Sequence, residues 1–282
     1  MAELKFDTPQ GTLFVQGWQQ DTMKLAAEVG RELAQSTESV GLFRDFDGTR
    51  VYVKGSHLRG KARFRYALRR LLLRKRAPRI EEYFNLCWLT ERHFQVALPL
   101  AAGEFVRAGA PHYHYLITRA EPGALALDDF CADASADERR VVLNELAREL
   151  ARMHSIRFLH HDLYPRNLLV GSKELARRVV FIDVWAGGPA PNQRPPEYDL
   201  ACLLLDADRF LEREEQRALL EEYMHQRRVQ DRPVDARRFL ARIGRERKTL
   251  FAQLQRDPGR LRGLPLPRAD WDPEQLGVSA LN

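Results

Sequence analysis

The segment "LHHDLYPRNLLV", residues 159–170, constrains this chain more than any other stretch. His160, Asp162 and Asn167 fall within eight residues, and the chain then enters an apolar run. A second apolar run, "RVVFID", follows the connector "GSKELAR" and ends on Asp183, sixteen residues after Asn167. Two short apolar runs around a polar connector predict a pair of strands closed by a turn. Such a hairpin returns Asp183 to the loop it left, so Asp162, Asn167 and Asp183 converge at the mouth of two buried strands.

The flanks give this loop a setting. Upstream, "ERRVVLNELARELARMH" carries Leu143, Leu146, Ala147, Leu150 and His154 on one face and predicts a helix that delivers the chain to the loop. From about residue 197 the chain reads as mostly helical, apart from the Pro-containing tail "GLPLPRADWDPEQ". Residues 29–54 predict a small antiparallel sheet instead. "VGRELAQ" and "VGLFRDF" read as strands around the turn "STES", and Asp47-Gly48 turns into a third, "TRVYVKG". In that third strand Val51 and Val53 face one way, Tyr52 and Lys54 the other. "YHYLIT" predicts a buried strand that Pro122 and Gly123 break, which sets a boundary between an N-lobe, 1–120, and a C-lobe, 121–282. Between them, "RIEEYFNLCWLTERHF" predicts a helix with Glu82 on the stripe of Leu86 and Leu89. A carboxylate on an apolar stripe needs a partner. Glu81, in line with Asn85, Trp88 and Arg92, predicts the solvated carboxylate.

Charge and cysteine content narrow the class. The net charge of +6 and pI of about 9.4 point only weakly to an anionic partner. The distribution says more: residues 61–79, "KARFRYALRRLLLRKRAPR", hold nine Lys or Arg and no acid, with Phe64, Leu68, Leu71 and Leu72 at helical spacing. This reads as a basic amphipathic helix or as the solvated face of an arginine-rich protein. Cys87, Cys131 and Cys202 are too far apart for a disulfide framework or a zinc site, which fits a reducing cytoplasm. No apolar run approaches the roughly 20 residues that span a bilayer, and the first residues do not read as a secretion signal.

Phosphoryl transfer from ATP requires a cation on the phosphates, oxygen ligands for magnesium and a carboxylate beside the attacking hydroxyl. The chain offers Lys54 for the phosphates with Glu82 to fix its ammonium, Asn167 and Asp183 for Mg2+, and Asp162 for the hydroxyl proton. Among seven lysines, only Lys54 ends an alternating strand in a protein that otherwise prefers arginine. Taken singly, each residue has a plainer reading: His160 as a core histidine, Asp162 or Asp183 as a loop cap, Asn167 as a turn residue.

"HHDLYPRN" resembles the H-x-D-L-x-x-x-N catalytic loop of the protein kinase-like fold. "FID" is similar to the strand carrying that fold's magnesium aspartate, and "VYVK" to its V-A-I-K strand. The implied fold is α+β and bilobal, with a small antiparallel-sheet N-lobe and a mainly helical C-lobe. Tyr164 and His161 stand where protein kinases carry Lys and Arg, and "DVWAGGPAPNQRPPEYD" leaves no room for a peptide-docking segment. A small-molecule acceptor is expected. "GRELAQSTESVGLFRDFDGTRVYVK", "RIEEYFNLCWL", "YLITRAEPGALALDDF" and "EYDLACLLLDA" resemble the lipopolysaccharide inner-core kinase family, which phosphorylates Kdo or heptose.

That resemblance implies an ATP-dependent kinase at the cytoplasmic face of a Gram-negative inner membrane, acting on lipopolysaccharide core or lipid A-core glycolipid. It implies structural support from His160 and Asp199, although Asp199 reads equally as an exposed helix-start acid. The region from Ala34 to Gly41 lacks the glycine-rich phosphate loop, so backbone amides around Gln35 to Ser39 would contact phosphate. Tyr52 occupies the place of a small alanine, which would narrow the nucleotide pocket. The other readings are an aminoglycoside- or choline-type phosphotransferase and a catalytically silent binding module. No aromatic-interleaved RNA-binding motif is present, so no nucleic-acid partner is expected.

Overall fold

The computed structural model describes residues 2–35, 39–46, 48–73, 76–171, 178–189, 194–230, 232, 234–257, 267 and 273–278. The chain divides into two compact units, Met1–Glu121 and Pro122–Asn282.

The first unit is a six-stranded antiparallel sheet with three helices. In chain order its elements are β1 (Ala2–Thr8), β2 (Gly11–Gly17), α1 (Gln20–Ala34), β3 (Val40–Phe46), β4 (Thr49–His57), α2 (Gly60–Leu73), α3 (Pro78–Thr90), β5 (Pro99–Arg107) and β6 (Ala110–Arg119). The strands lie in the order β1-β2-β5-β6-β4-β3. Leu13, Val15, Val51, Val53, Phe105 and Ile117 from the sheet close a core against Met23, Ala26, Ala27 and Leu33 of α1. The alternation read in β4 holds: Val51 and Val53 are buried, while Tyr52 and Lys54 are half-buried on the other face. β4 runs on to His57, so Lys54 sits inside the strand rather than at its end.

One expected strand is a helix. "VGRELAQ" belongs to the last turns of α1, whose buried Met23, Ala26, Ala27, Gly30 and Leu33 recur at three- and four-residue intervals. Close packing fixes that choice: the Tyr115 hydroxyl donates to the Ala26 carbonyl at 2.8 Å, and a Cβ on Gly30 would fall 2.2 Å from the Tyr115 ring. The β3–β4 hairpin forms as expected, although Asp47 of its turn lies outside the described residues. So do residues 36–38, from which phosphate-contacting amides were expected.

The second unit contains α4 (Leu127–Asp133), α5 (Ala136–Ser155), α6 (Pro196–Leu203), α7 (Arg213–Val229) and α8 (Ala236–Arg256). A three-stranded sheet joins them: β7 (Leu125–Ala126), β8 (Leu168–Val170) and β9 (Val179–Phe181). α5 begins with a reciprocal capping box between Ser135 and Glu138, which satisfies exposed amides at its first turn. It buries Leu143, Leu146, Ala147, Leu150 and His154, the predicted stripe. β8 and β9 pair antiparallel as the expected hairpin, Leu168 opposite Phe181. Most of the Pro-containing tail lies outside the described residues. The three cysteines are buried and free, and no described helix is long and apolar enough to cross a membrane.

Candidate active site

In the first unit, the geometry follows from strand alternation. Lys54 leaves β4 on the face away from Val51 and Val53, where α3 supplies a carboxylate. Its Nζ lies 2.5 Å from Glu82 Oε1, and Glu82, at 1% exposure, is buried. The second carboxylate oxygen accepts from Arg79 at 2.7 Å. One buried anion thus holds two cations, which satisfies the requirement that a carboxylate on an apolar stripe be paired. Glu81 is the more exposed of the two acids, as expected, but Asn85 on its stripe is buried.

Arg79 escaped the sequence reading, although an arginine three residues before a glutamate on a helix is a legible pair. His114 escaped it too. The helix cap residue Ala77 has no side-chain oxygen, so the Arg79 amide would be an orphan at the first turn of α3. His114 Nδ1 on β6 accepts that N–H at 3.0 Å, and the ring's Nε2 faces Ser56 Oγ on β4 at 2.8 Å. With Nδ1 accepting, the proton belongs on Nε2 and is donated to Ser56. Burial, helped by the Arg79 charge, pushes His114 down to about 3, so the ring is neutral. Ser56 pairs with His114 in the ladder and is two residues beyond Lys54, so the histidine ties α3 to the lysine strand.

In the second unit, the loop after α5 is irregular, and side chains hold it. Asp199 of α6 is fully buried; its Oδ2 accepts from the His160 amide and its Oδ1 from the His161 amide, each at 2.7 Å. His154 Nε2 lies 3.2 Å from the same carboxylate. Burial works to raise the Asp199 carboxyl, but the His154 and amide hydrogen bonds and the histidine rings outweigh it and hold it below the usual range. His161 and Asp183 adopt left-handed backbone, at φ 62° and 60°, a conformation that needs such bracing outside glycine.

His160 connects the loop to the strand that follows. Its Nδ1 accepts from the Asp162 amide at 3.3 Å and its Nε2 donates to the Ile182 carbonyl at 3.0 Å, one residue before Asp183. Asn167 Nδ2 donates to the Asp162 backbone carbonyl at 2.7 Å and to its carboxylate at 3.2 Å, leaving Oδ1 as an acceptor. The Asn167 carbonyl accepts from the Ile182 amide at 3.1 Å, so both ends of the hairpin are anchored at this point. Burial raises the Asp162 carboxyl and the neighbouring Asp183 charge adds to it, while His160, Arg166 and the Asn167 hydrogen bond act the other way. Tyr164 is half-buried, and the Arg166 guanidinium lies 4.2 Å over its ring.

The structure therefore brings together Lys54 with Glu82 in one unit, and His160, Asp162, Asn167, Asp183 and Asp199 in the other. Among the described residues, no cluster of three or more His, Cys, Asp or Glu forms a closed metal site. An amide oxygen and a carboxylate suit a hard cation that keeps water and phosphate ligands, so Asn167 and Asp183 fit magnesium.

A sheet-borne lysine–glutamate pair and an H-x-D-L-x-x-x-N loop on a helical unit define a phosphotransferase of the protein kinase-like fold. The model of the "Lipopolysaccharide kinase (Kdo/WaaP) family" matches residues 24–223, more than half of the sequence, and the chain belongs to that family. It is a kinase that phosphorylates a sugar hydroxyl. Solved structures agree on the fold. "WaaP in complex with acyl carrier protein" is similar at a TM-score of 0.53 and 20% identity, covering 88% of this chain and 98% of that one. "Glucosamine kinase (crystal form B)" is similar at a TM-score of 0.50 and 13% identity, covering 98% and 90%. No curated protein matches the sequence.

Proposed function

We propose that this kinase transfers the γ-phosphoryl group of ATP to a hydroxyl of Kdo or heptose in the lipopolysaccharide inner core. Residues 1–120 serve as the nucleotide-binding lobe, with Lys54 on the phosphates and Glu82 and Arg79 fixing its position. Residues 121–282 supply the chemistry. The hydroxyl oxygen bonds to the γ-phosphorus as the bond to the ADP oxygen breaks, and the hydroxyl proton passes to Asp162. Asn167 and Asp183 would hold Mg2+, which neutralises phosphate charge when bound. His160 and Asp199 act through the loop, holding Asp162 and Asp183 in register.

The observation that carries this reading is the shared anchoring of Asp162 and the Asp183 strand through Asn167 and His160. The acceptor class comes from the family. Sugar identity is tested by incubating the full chain with Mg-ATP and dephosphorylated core oligosaccharide, then mapping the phosphate by mass spectrometry. Phosphate on Kdo or heptose supports the proposal; phosphate only on an aminoglycoside or choline would replace it.

The glycolipid acceptor also gives α2 a use. Phe64, Leu68, Leu71 and Leu72 form an exposed stripe, with Phe64 at 72% and Leu71 at 79% exposure. The helix packs on β6, and Arg63 donates to the carbonyl of Arg107 at the end of β5 at 3.2 Å. An apolar stripe within a segment of nine cations and no acid matches an anionic bilayer surface, at about 1 kcal/mol per cation near it. Replacing Phe64 and Leu71 by serine should reduce sedimentation with phosphatidylglycerol vesicles; unchanged binding would remove the membrane from the account. Acyl carrier protein, the partner in the similar WaaP structure, is an additive to test in the same assay.

A further inference from the structure

Protein kinases carry a lysine two residues after the loop aspartate, and here that position is Tyr164. The structure restores a cation by another route. Arg166 folds its guanidinium over the Tyr164 ring at 4.2 Å, a stacked arrangement that Arg adopts readily and that leaves its in-plane N–H groups available. Tyr164 is half-buried, and its ring gives the guanidinium a flat face to rest on. Arg166 is half-buried, and among the described residues it has no hydrogen bond or ion pair. Its Nε is buried without a partner. A buried guanidinium N–H left unused beside Asp162 is costly unless a ligand takes it up.

We propose that Arg166, stacked on Tyr164, is a catalytic cation of this site, presenting its guanidinium to anionic oxygens beside Asp162. This rests on the sugar-kinase reading. Those oxygens belong either to the phosphoryl group in transit or to an acidic substituent on the acceptor, and both present the planar oxygen pairs that a guanidinium binds bidentately. The same charge favours ionised Asp162, against burial and the Asp183 carboxylate. Asp162 is faced by His160, Tyr164, Arg166 and Asn167 from its own loop, by Asp183 beyond β9, and by Tyr198 and Cys202 of α6. Arg166 is the permanent cation in that set. It also lies within charge range of Asp206, a carboxylate it could serve in a purely structural role.

Four variants of the full chain separate the possibilities: Arg166→Ala, Arg166→Lys, Tyr164→Phe and Asp206→Asn. Removing one preorganised donor to developing charge typically costs about 100-fold in kcat, and that loss is expected for Arg166→Ala. Arg166→Lys should recover part of it, and Tyr164→Phe, which keeps the ring under the guanidinium, should lose less than Arg166→Ala. Asp206→Asn should leave kcat in place. A loss confined to kcat assigns the oxygens to the phosphoryl group; a rise in KM for an acidic sugar but not a neutral one assigns them to the acceptor. Binding of inorganic phosphate, followed by 31P NMR, reads the anion site without turnover and should weaken in Arg166→Ala. If Arg166→Ala keeps wild-type kcat and phosphate binding while Asp162→Asn is inactive, the inference fails and the kinase reading stands. If wild type transfers no phosphate to any sugar yet loses phosphate binding with Arg166, the reading fails and the anion site remains.

Discussion

The two units hold their functional residues by different means. Lys54 is placed by a regular ladder: β4 is paired on both sides, its alternate residues fill the core, and the lysine's face follows from counting. Asp162 is placed by an irregular loop with a left-handed residue before it, held by loop amides that donate to Asp199 and His160 and by the side-chain amide of Asn167, which donates to Asp162. Backbone in a ladder satisfies its own polar groups. Backbone in such a loop depends on side chains, and each of those side chains is a point of failure.

That contrast makes the loop the more fragile region, and Asp199→Ala should show the largest effect. It strands the His160 and His161 amides and the Nε2 of buried His154, at about 3–5 kcal/mol, and should be read by denaturant unfolding. Glu82→Gln should act differently. The ladder keeps its shape, so stability should change less than in Asp199→Ala, while kcat/KM for ATP falls by about 10- to 100-fold as Lys54 loses its fixed position. Equal destabilisation by the two variants would break the comparison.

His114 sharpens it, because here the sheet unit also relies on a side chain. Its folded value of about 3 lies below the unfolded value of about 6.5, so the unfolded chain binds the extra proton between them. Stability from this group is complete above about pH 6.5 and falls with acidification by up to about 1.4 kcal/mol per pH unit. The His114→Leu variant should lose that slope in a pH series of unfolding curves; an unchanged slope would mean that His114 is not the group held neutral by the fold. Gly30→Ala, read by the same unfolding curves, pushes a methyl group against buried Tyr115 and should cost about 1–3 kcal/mol, less whatever the helix gains from alanine.

Legibility in the sequence followed the same division. The face of Lys54, the burial of Glu82, the α5 stripe and the β8–β9 hairpin were readable because each rests on a local period of two or 3.6 residues. The loop residues were readable as a motif, but the reason for their positions was not, because Asp199 acts from 37 residues beyond Asp162. "VGRELAQ" was misread because the window opened at Val29, after the Met23, Ala26 and Ala27 turns that show the helical period. His114 gave no local signal, since a histidine in a buried strand reads as core until α3 is placed beside it. Arg166 was passed over for a related reason: its meaning depends on the ring of Tyr164, two residues away.

The central claim is that Asp162 accepts the proton of a sugar hydroxyl during transfer from ATP. It is tested most directly by supplying γ-labelled Mg-ATP and dephosphorylated lipopolysaccharide core to the wild-type chain and to Asp162→Asn, with folding of both checked by circular dichroism. The account predicts label in the glycolipid with wild type and a loss of at least about 1,000-fold in the variant, which keeps the shape of the loop and lacks the base. Equal labelling by the two proteins would contradict it.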